Sequence, residues 1–315
     1  MGGGSWSSAT YAATTGSKIR SGSTFGYDTH VKATGDYKVH EALDPMKANA
    51  AGLNIRESRD SVEHPNALPI VVGFDSTGSM GTVPRTVQEK LKSVFTLLVD
   101  KGYTPDPQVC VATYGDATCD RLPLQVGQFE SDNRVDDSLD NMVLEGGGGG
   151  NGGETSNLLL YFLATHTETD AWEKRQKKGH IFIIADERQV PITADHISRF
   201  IGDGQPLLED ISYEGIAKAV TEKWNVWILL IDNAAAKMQK SQEFYTDLFG
   251  AEHVLIVEDP NTIAETVGAV VGYAEGTDVD KIKSDLSEVA GKEIALRVGN
   301  TLASSGGNAA SGGLR

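Results

Sequence analysis

Leu68-Pro-Ile-Val-Val-Gly-Phe-Asp75-Ser-Thr77-Gly-Ser79-Met80 decides how the rest of the chain is read. Its apolar half is short, β-branched and aromatic, the composition of a strand buried on both faces of a sheet. Its polar half delivers an acid and two hydroxyls, Asp75, Thr77 and Ser79, at i, i+2 and i+4 into a glycine-containing turn. Carboxylate and hydroxyl oxygens gathered in one turn are hard donors, which suit Mg²⁺ or Mn²⁺ better than zinc. The plainer alternative is a strand-to-helix turn whose Ser and Thr cap the next helix.

Two look-alikes are excluded by spacing. Aspartic proteases place glycine two residues after the acid, and they need a second such triplet to pair the carboxylates. Here Gly78 lies three residues after Asp75 and no second triplet exists. A phosphate-cradling P-loop closes on Gly-Lys-Ser/Thr, and no lysine stands near Ser79.

Working outward, strand-like and helix-like segments alternate. Pro84 to about Tyr103 sets Val87, Leu91, Val94, Phe95 and Leu98 on one helix face, with Pro84 suited to the first turn. Strands are expected at 67–74, 109–114, 124–129, 181–185, 225–231 and 253–257. Helices are expected at 134–144, 157–164, 196–202, 213–223, 238–249 and 263–274. Apolar strands separated by amphipathic helices predict an α/β fold, a doubly wound and mainly parallel sheet flanked by helices, over residues 66–275. Sites in such sheets lie at the carboxyl ends of the strands. Residues 1–65 read as an extended N-terminal arm, rich in Gly, Ser, Thr and Ala with scattered aromatics. Within it, Arg56-Glu-Ser-Arg-Asp-Ser61 offers ion pairs to the body. Residues 276–315 read as one helix over Asp280–Leu296 and a Gly/Ser/Ala-rich flexible tail from Asn300.

Composition bounds the partners. With 315 residues the chain holds one large domain with extensions or two small ones. A net charge of -16 argues against nucleic acid or an anionic membrane surface as partner. It is compatible with a divalent cation or a basic protein, though a solvated acidic surface is the plainer explanation and is preferred to either. The two cysteines, Cys110 in an apolar run and Cys119 in a loop, form neither a disulfide framework nor a zinc cluster. The absence of a secretory pattern and of any apolar run near 18 residues leads to the expectation of a cytoplasmic protein.

Three loops line up at expected strand ends. The first carries Asp75, Thr77 and Ser79; the second is Glu145-Gly-Gly-Gly-Gly-Gly-Asn151-Gly-Gly-Glu154-Thr155-Ser156; the third is Ile183-Ile-Ala-Asp186-Glu-Arg188. The order and approximate spacing resemble the metal-ion-dependent adhesion site (MIDAS) of von Willebrand factor A (vWA) domains, with its D-x-S/T-x-S signature. The arm, Gly2-Gly-Gly-Ser-Trp6 with Arg56-Glu-Ser-Arg-Asp-Ser61, resembles that of cytosolic bacterial or phage members and implies no activity. The MIDAS resemblance covers residues 66–275. It implies that Asp75 binds the metal or orients its water, that Thr77 and Ser79 coordinate through hydroxyls, that Thr155 (or Ser156) adds a ligand, and that Asp186 acts through water. Mg²⁺ is the implied ion, with Mn²⁺ and Ca²⁺ as alternatives. Gly115-Asp116 and Asp232 extend an acidic rim at the same end, each also suited to a turn or helix cap. The long glycine tract serves either a close backbone approach to the site or as a spacer.

The same resemblance implies a non-enzymatic binding module whose metal takes an Asp or Glu carboxylate from a protein partner, in the manner of adaptors that work with MoxR-type AAA+ ATPases. The residues add that no nucleophile stands beside a base, and that the seven histidines form no ligand spacing. An assembly role, the arm reaching onto neighbouring subunits, is the second reading. Metal-activated hydrolysis of a phosphoester is the third.

Overall fold

A computed structural model describes residues 4–21, 24–48, 52, 54–80, 82–146, 153–202, 209–231 and 235–309. Ahead of the central strand come α1 (Ser8–Ser21), α2 (Gly26–Thr34) and β1 (Arg56–Ser58); the strand itself, Leu68–Asp75, is β2. There follow α3 (Val83–Phe95), β3 (Pro107–Tyr114), β4 (Leu124–Val126), α4 (Arg134–Asp140), α5 (Ser156–Thr165), β5 (Thr167–Thr169), α6 (Asp170–Arg175) and β6 (Gly179–Ala185). The chain continues through α7 (Ala194–Phe200), α8 (Tyr213–Lys223), β7 (Trp224–Ile231), α9 (Ala235–Phe249), β8 (Val254–Val257), α10 (Ile263–Ala274), α11 (Val279–Val289) and α12 (Lys292–Ala309).

Six strands form one sheet in the order β4-β3-β2-β6-β7-β8. All neighbours are parallel except β4, which runs antiparallel to β3. β2 is buried along its whole length, and successive side chains leave opposite faces. Ile70, Val72 and Phe74 join a core shared with α3, α10, α11 and α12. Val71 joins a second core with α5, α8 and the Tyr245 of α9. The expected doubly wound α/β sheet is therefore the architecture observed. The chain leaves β2 toward β3 on one side and later returns to β6 on the other, so the winding reverses at the carboxyl ends of β2 and β6. Among the described residues no helix is long and apolar enough to cross a membrane.

The N-terminal segment is not extended. It forms α1 and α2, and β1 pairs with β5 in a separate two-stranded parallel sheet. Its apolar residues are too sparse to show a helical period, yet they reach the main core: Tyr11, Phe25 and Leu43 are buried there, and Trp6 stacks on Phe95 with ring centroids 4.1 Å apart. The buried Arg56 guanidinium donates to the Val126, Gly127 and Asp44 carbonyls. Arg59 pairs with Glu57, Glu168, Asp170 and Glu173, so the mixed-charge stretch does clip this segment to the body.

The C-terminal reading is corrected as well. The helix expected over Asp280–Leu296 is two helices, parted at Gly291, whose φ of 92° lies in the left-handed region that favours glycine. The second runs on to Ala309, past the start of the expected tail, because Val298 and Thr301 are buried on its inner face. Residues 310–315 lie outside the described residues.

If residues 1–65 are integral to the fold, Leu43→Ala should behave as a core truncation. Leu43 is 0% exposed and its carbonyl accepts from the Val126 amide at 2.8 Å. Denaturant unfolding should show a loss of about 2–5 kcal/mol. A change within about 0.5 kcal/mol, the range of ordinary surface substitutions, would mark the segment as an appendage.

Candidate metal centre

β2 ends on Asp75, and the next residue stays tied to the neighbouring strand: the Ser76 amide donates to the Tyr114 carbonyl at 2.9 Å. Asp75 is 0% exposed. Its Oδ1 accepts from the Thr77 amide at 2.7 Å and its Oδ2 from the Thr77 hydroxyl at 2.7 Å. The i+2 spacing thus closes a tight turn in which one threonine satisfies both carboxylate oxygens. Gly78–Met80 continues as a single 3₁₀ turn. The Ser79 side chain lies outside the described part of the structure.

The second loop docks on the turn after β3. The Thr155 amide donates to the Gly115 carbonyl at 2.9 Å, and its hydroxyl donates to the same oxygen at 2.6 Å. That hydroxyl also accepts from the Ala117 amide at 3.0 Å. Ser156, the alternative register, turns elsewhere: its Oγ accepts from Gln189 Nε2 at 3.0 Å and lies 3.4 Å from the Tyr245 hydroxyl. At the start of the glycine tract, the Gly146 amide donates to the Ser76 carbonyl at 3.3 Å. Residues 147–152, with Asn151, lie outside the described residues, as does Asp232.

The third loop arrives through the sheet register. Phe74 faces Ile184 across β2 and β6, so Asp75 and Asp186 emerge from neighbouring strands at the reversal of winding. Asp186 is 4% exposed, and Lys237 Nζ lies 3.6 Å from its Oδ2. Lys237 also pairs with Glu187. Asp116 accepts from the Thr118 amide at 2.8 Å and hydroxyl at 2.7 Å, a turn role of the kind expected for it.

Two acids of this end were not singled out from the sequence. Asp120 accepts from the Asp116 amide at 2.7 Å, and Gly115 makes room for it: a Cβ there would sit 2.5 Å from Asp120 Oδ2. Glu154 stands just before Thr155, and its Oε2 is buried with no hydrogen-bond partner among the described residues. A lone acid after a glycine tract carries no periodic signal. Only its adjacency to a ligand candidate could have marked it.

Burial, more than neighbouring charge, raises Asp75 and Glu154. Burial pushes Asp75 up to about 7, with the charges of Asp186 and Asp120 adding and the Thr77 hydrogen bonds opposing. Burial also pushes Glu154 up to about 9, followed by the charges of Asp75, Asp120, Asp116 and Glu187. The donor set fits a hard divalent cation, since carboxylates meet hydroxyls whose protons are already committed to Asp75 and the Gly115 carbonyl. Among the described residues no three His, Cys, Asp or Glu side chains converge closely enough to hold a metal on their own. A cation here would depend on the hydroxyls.

The sequence matches no family model and no curated protein. Solved structures overlap it in part. The pilus adhesin SpaC from Lactobacillus rhamnosus GG, in its open conformation, aligns over 72% of this chain and 31% of its own, with 13% identity and a TM-score of 0.45. Proximal thread matrix protein 1 from the mussel byssus, with its zinc-occupied MIDAS motif, aligns over 67% and 46%, with 14% identity and a TM-score of 0.43. The chain spans less than half the length of either. Likeness at this level bears on neither family nor chemistry, and the architecture stands on the strand order.

The raised carboxyls give a pH signature of the metal-free protein. A folded-state pKa above the unfolded value means that the folded chain holds the extra proton. These groups therefore cease to favour folding as pH rises from their ordinary values through about 7 for Asp75 and about 9 for Glu154. With chelator present, thermal unfolding should show stability falling between about pH 5 and pH 8. Asp75→Asn should flatten the lower part of that fall.

Proposed function

We propose that this chain is a vWA-type protein-binding module of the cytosolic kind, working through a divalent cation, Mg²⁺ by preference, with Mn²⁺ or Ca²⁺ as substitutes. One juxtaposition carries the reading: Asp75 and Asp186 end neighbouring strands where the winding reverses, with the Thr77 and Thr155 hydroxyls committed inward beside them. In this reading Asp75, Thr77, Ser79 and Thr155 hold the ion, and Asp186 acts on it through water. Thr155 is preferred to Ser156 because its hydroxyl lies on the turn after β3, at Gly115 and Ala117, whereas the Ser156 hydroxyl lies with Gln189 and Tyr245. When bound, the cation supplies a Lewis-acidic position for an Asp or Glu carboxylate of a protein partner. The protein residues fix the loops, remove bulk water from Asp75 and set the local negative charge. A MoxR-type AAA+ ATPase is the partner class proposed, and a cytoplasmic setting is consistent with the two free thiols.

The assembly reading loses support because the N-terminal segment spends its aromatics on its own body, with Trp6 on Phe95 and Phe25 in the core. The hydrolase reading has one observation in its favour. Glu154, whose buried Oε2 has no hydrogen-bond partner among the described residues, is a carboxyl beyond the proposed ligand set that could move a proton. We propose no turnover, and a phosphoester assay with Glu154→Gln as control tests it.

Binding is tested by capture from native lysate with wild type and Asp75→Ala, each with Mg²⁺ or with EDTA. Wild type with Mg²⁺ should retain an AAA+ protein that chelation and Asp75→Ala both release. Retention unchanged by either would overturn a metal-dependent role. Mg²⁺-dependent phosphoester hydrolysis by the purified chain, lost in Asp75→Ala, would replace it with a catalytic one.

A further inference from the structure

Lys237 is the cation that the structure sets against the site's third loop. It stands in the first turn of α9, with Nζ 3.6 Å from Asp186 Oδ2 and in closer contact with Glu187. Asp186 is 4% exposed, while the Lys237 side chain is 34% exposed, so the ammonium reaches the acid from solvent. The same helix holds that loop again two turns on, where the Tyr245 hydroxyl donates to the Glu187 carbonyl at 3.1 Å. Tyr245 is 1% exposed, which fixes α9 and hence the reach of Lys237.

A carboxylate buried beside other acids needs a counter-charge, and a tethered ammonium and a divalent cation compete for that role. Lys makes a compact point charge on a flexible stem, able to leave without moving the helix that carries it. We propose that Lys237 is an internal competitor of the metal. It neutralises Asp186 and Glu187 in the metal-free protein, and cation binding displaces it toward solvent. Affinity for the cation is thereby held below what the oxygen ligands alone would give. This rests on the divalent-cation reading of the site.

The test is calorimetric titration of Mn²⁺ into wild type, Lys237→Met, Lys237→Arg and Lys240→Met. Lys240 is an exposed lysine of the same helix, so its loss changes net charge equally without touching the site. Lys237→Met should bind Mn²⁺ about fivefold tighter, the full weight of one partly exposed ion pair. Lys237→Arg and Lys240→Met should stay within about twofold of wild type. Amine acylation of Lys237 in wild type should quicken on adding Mg²⁺. Equal tightening in Lys237→Met and Lys240→Met would reduce the effect to net charge and overturn the proposal, as would no tightening in Lys237→Met. Failure of every chain to bind Mn²⁺ would overturn the metal reading beneath it.

Discussion

A carboxylate at 0% exposure, on the end of a strand buried along its whole length, is the constraint around which this site is arranged. Ionised Asp75 has lost its water, and that loss has to be offset locally or the group takes up a proton. Thr77 supplies two hydrogen bonds, one from its amide and one from its hydroxyl, and these alone do not bring the carboxyl back to its ordinary range. Asp186 and Asp120 add negative charge to the same end. An end built in this way favours neutralisation, by a proton or by a small, hard cation. That property follows from burial and charge alone.

The sheet topology explains why the acids meet. In a parallel sheet every strand points its carboxyl end the same way, and the helices that follow begin there, turning their positive ends toward it. β2 lies between β3 and β6, so loops after three adjacent strands share one rim. α3 packs on one face of the sheet and α5 on the other, on either side of the reversal. Asp75 lies between the turn after β3 and Asp186 after β6. The Thr155 amide and hydroxyl, both donating to the Gly115 carbonyl, then pin the second loop to that rim.

How much of this was legible in the sequence follows from how each element is stabilised. β2, β3, β6 and β7 announce themselves as apolar runs because both of their faces are covered, and their order with the helices between them gives the winding. Asp75, Thr77 and Asp186 stood out as candidates because each closes or follows such a run, and Thr155 because it opens a helix after the glycine tract. α1, α2 and the β1–β5 pair were not, since they are held by isolated contacts such as Trp6 on Phe95 and by the Arg56 and Arg59 side chains. The part of α12 beyond Asn300 was hidden by its Gly/Ser/Ala composition, which suggests disorder, although Val298 and Thr301 are buried. Glu154 and Lys237 belong to no pattern. Each matters only through a neighbour that tertiary structure supplies.

Both edges of the sheet are covered, and this bears on how a partner could be received. At β4 the Val126 amide donates to the Leu43 carbonyl, while Arg56 takes the carbonyls of Val126 and Gly127. At β8 the Thr301 hydroxyl of α12 reaches the Ile256 carbonyl at 3.4 Å. An edge already occupied has few backbone groups left for strand addition, the route by which many sheet proteins bind extended peptides. The two segments whose character the sequence concealed are the ones that close these edges. With the edges closed and both faces under helices, the carboxyl-end rim is where backbone turns, buried acids and the Lys237 ammonium lie close to solvent. The loops that carry function and the segments that seal the sheet thus divide the surface between them.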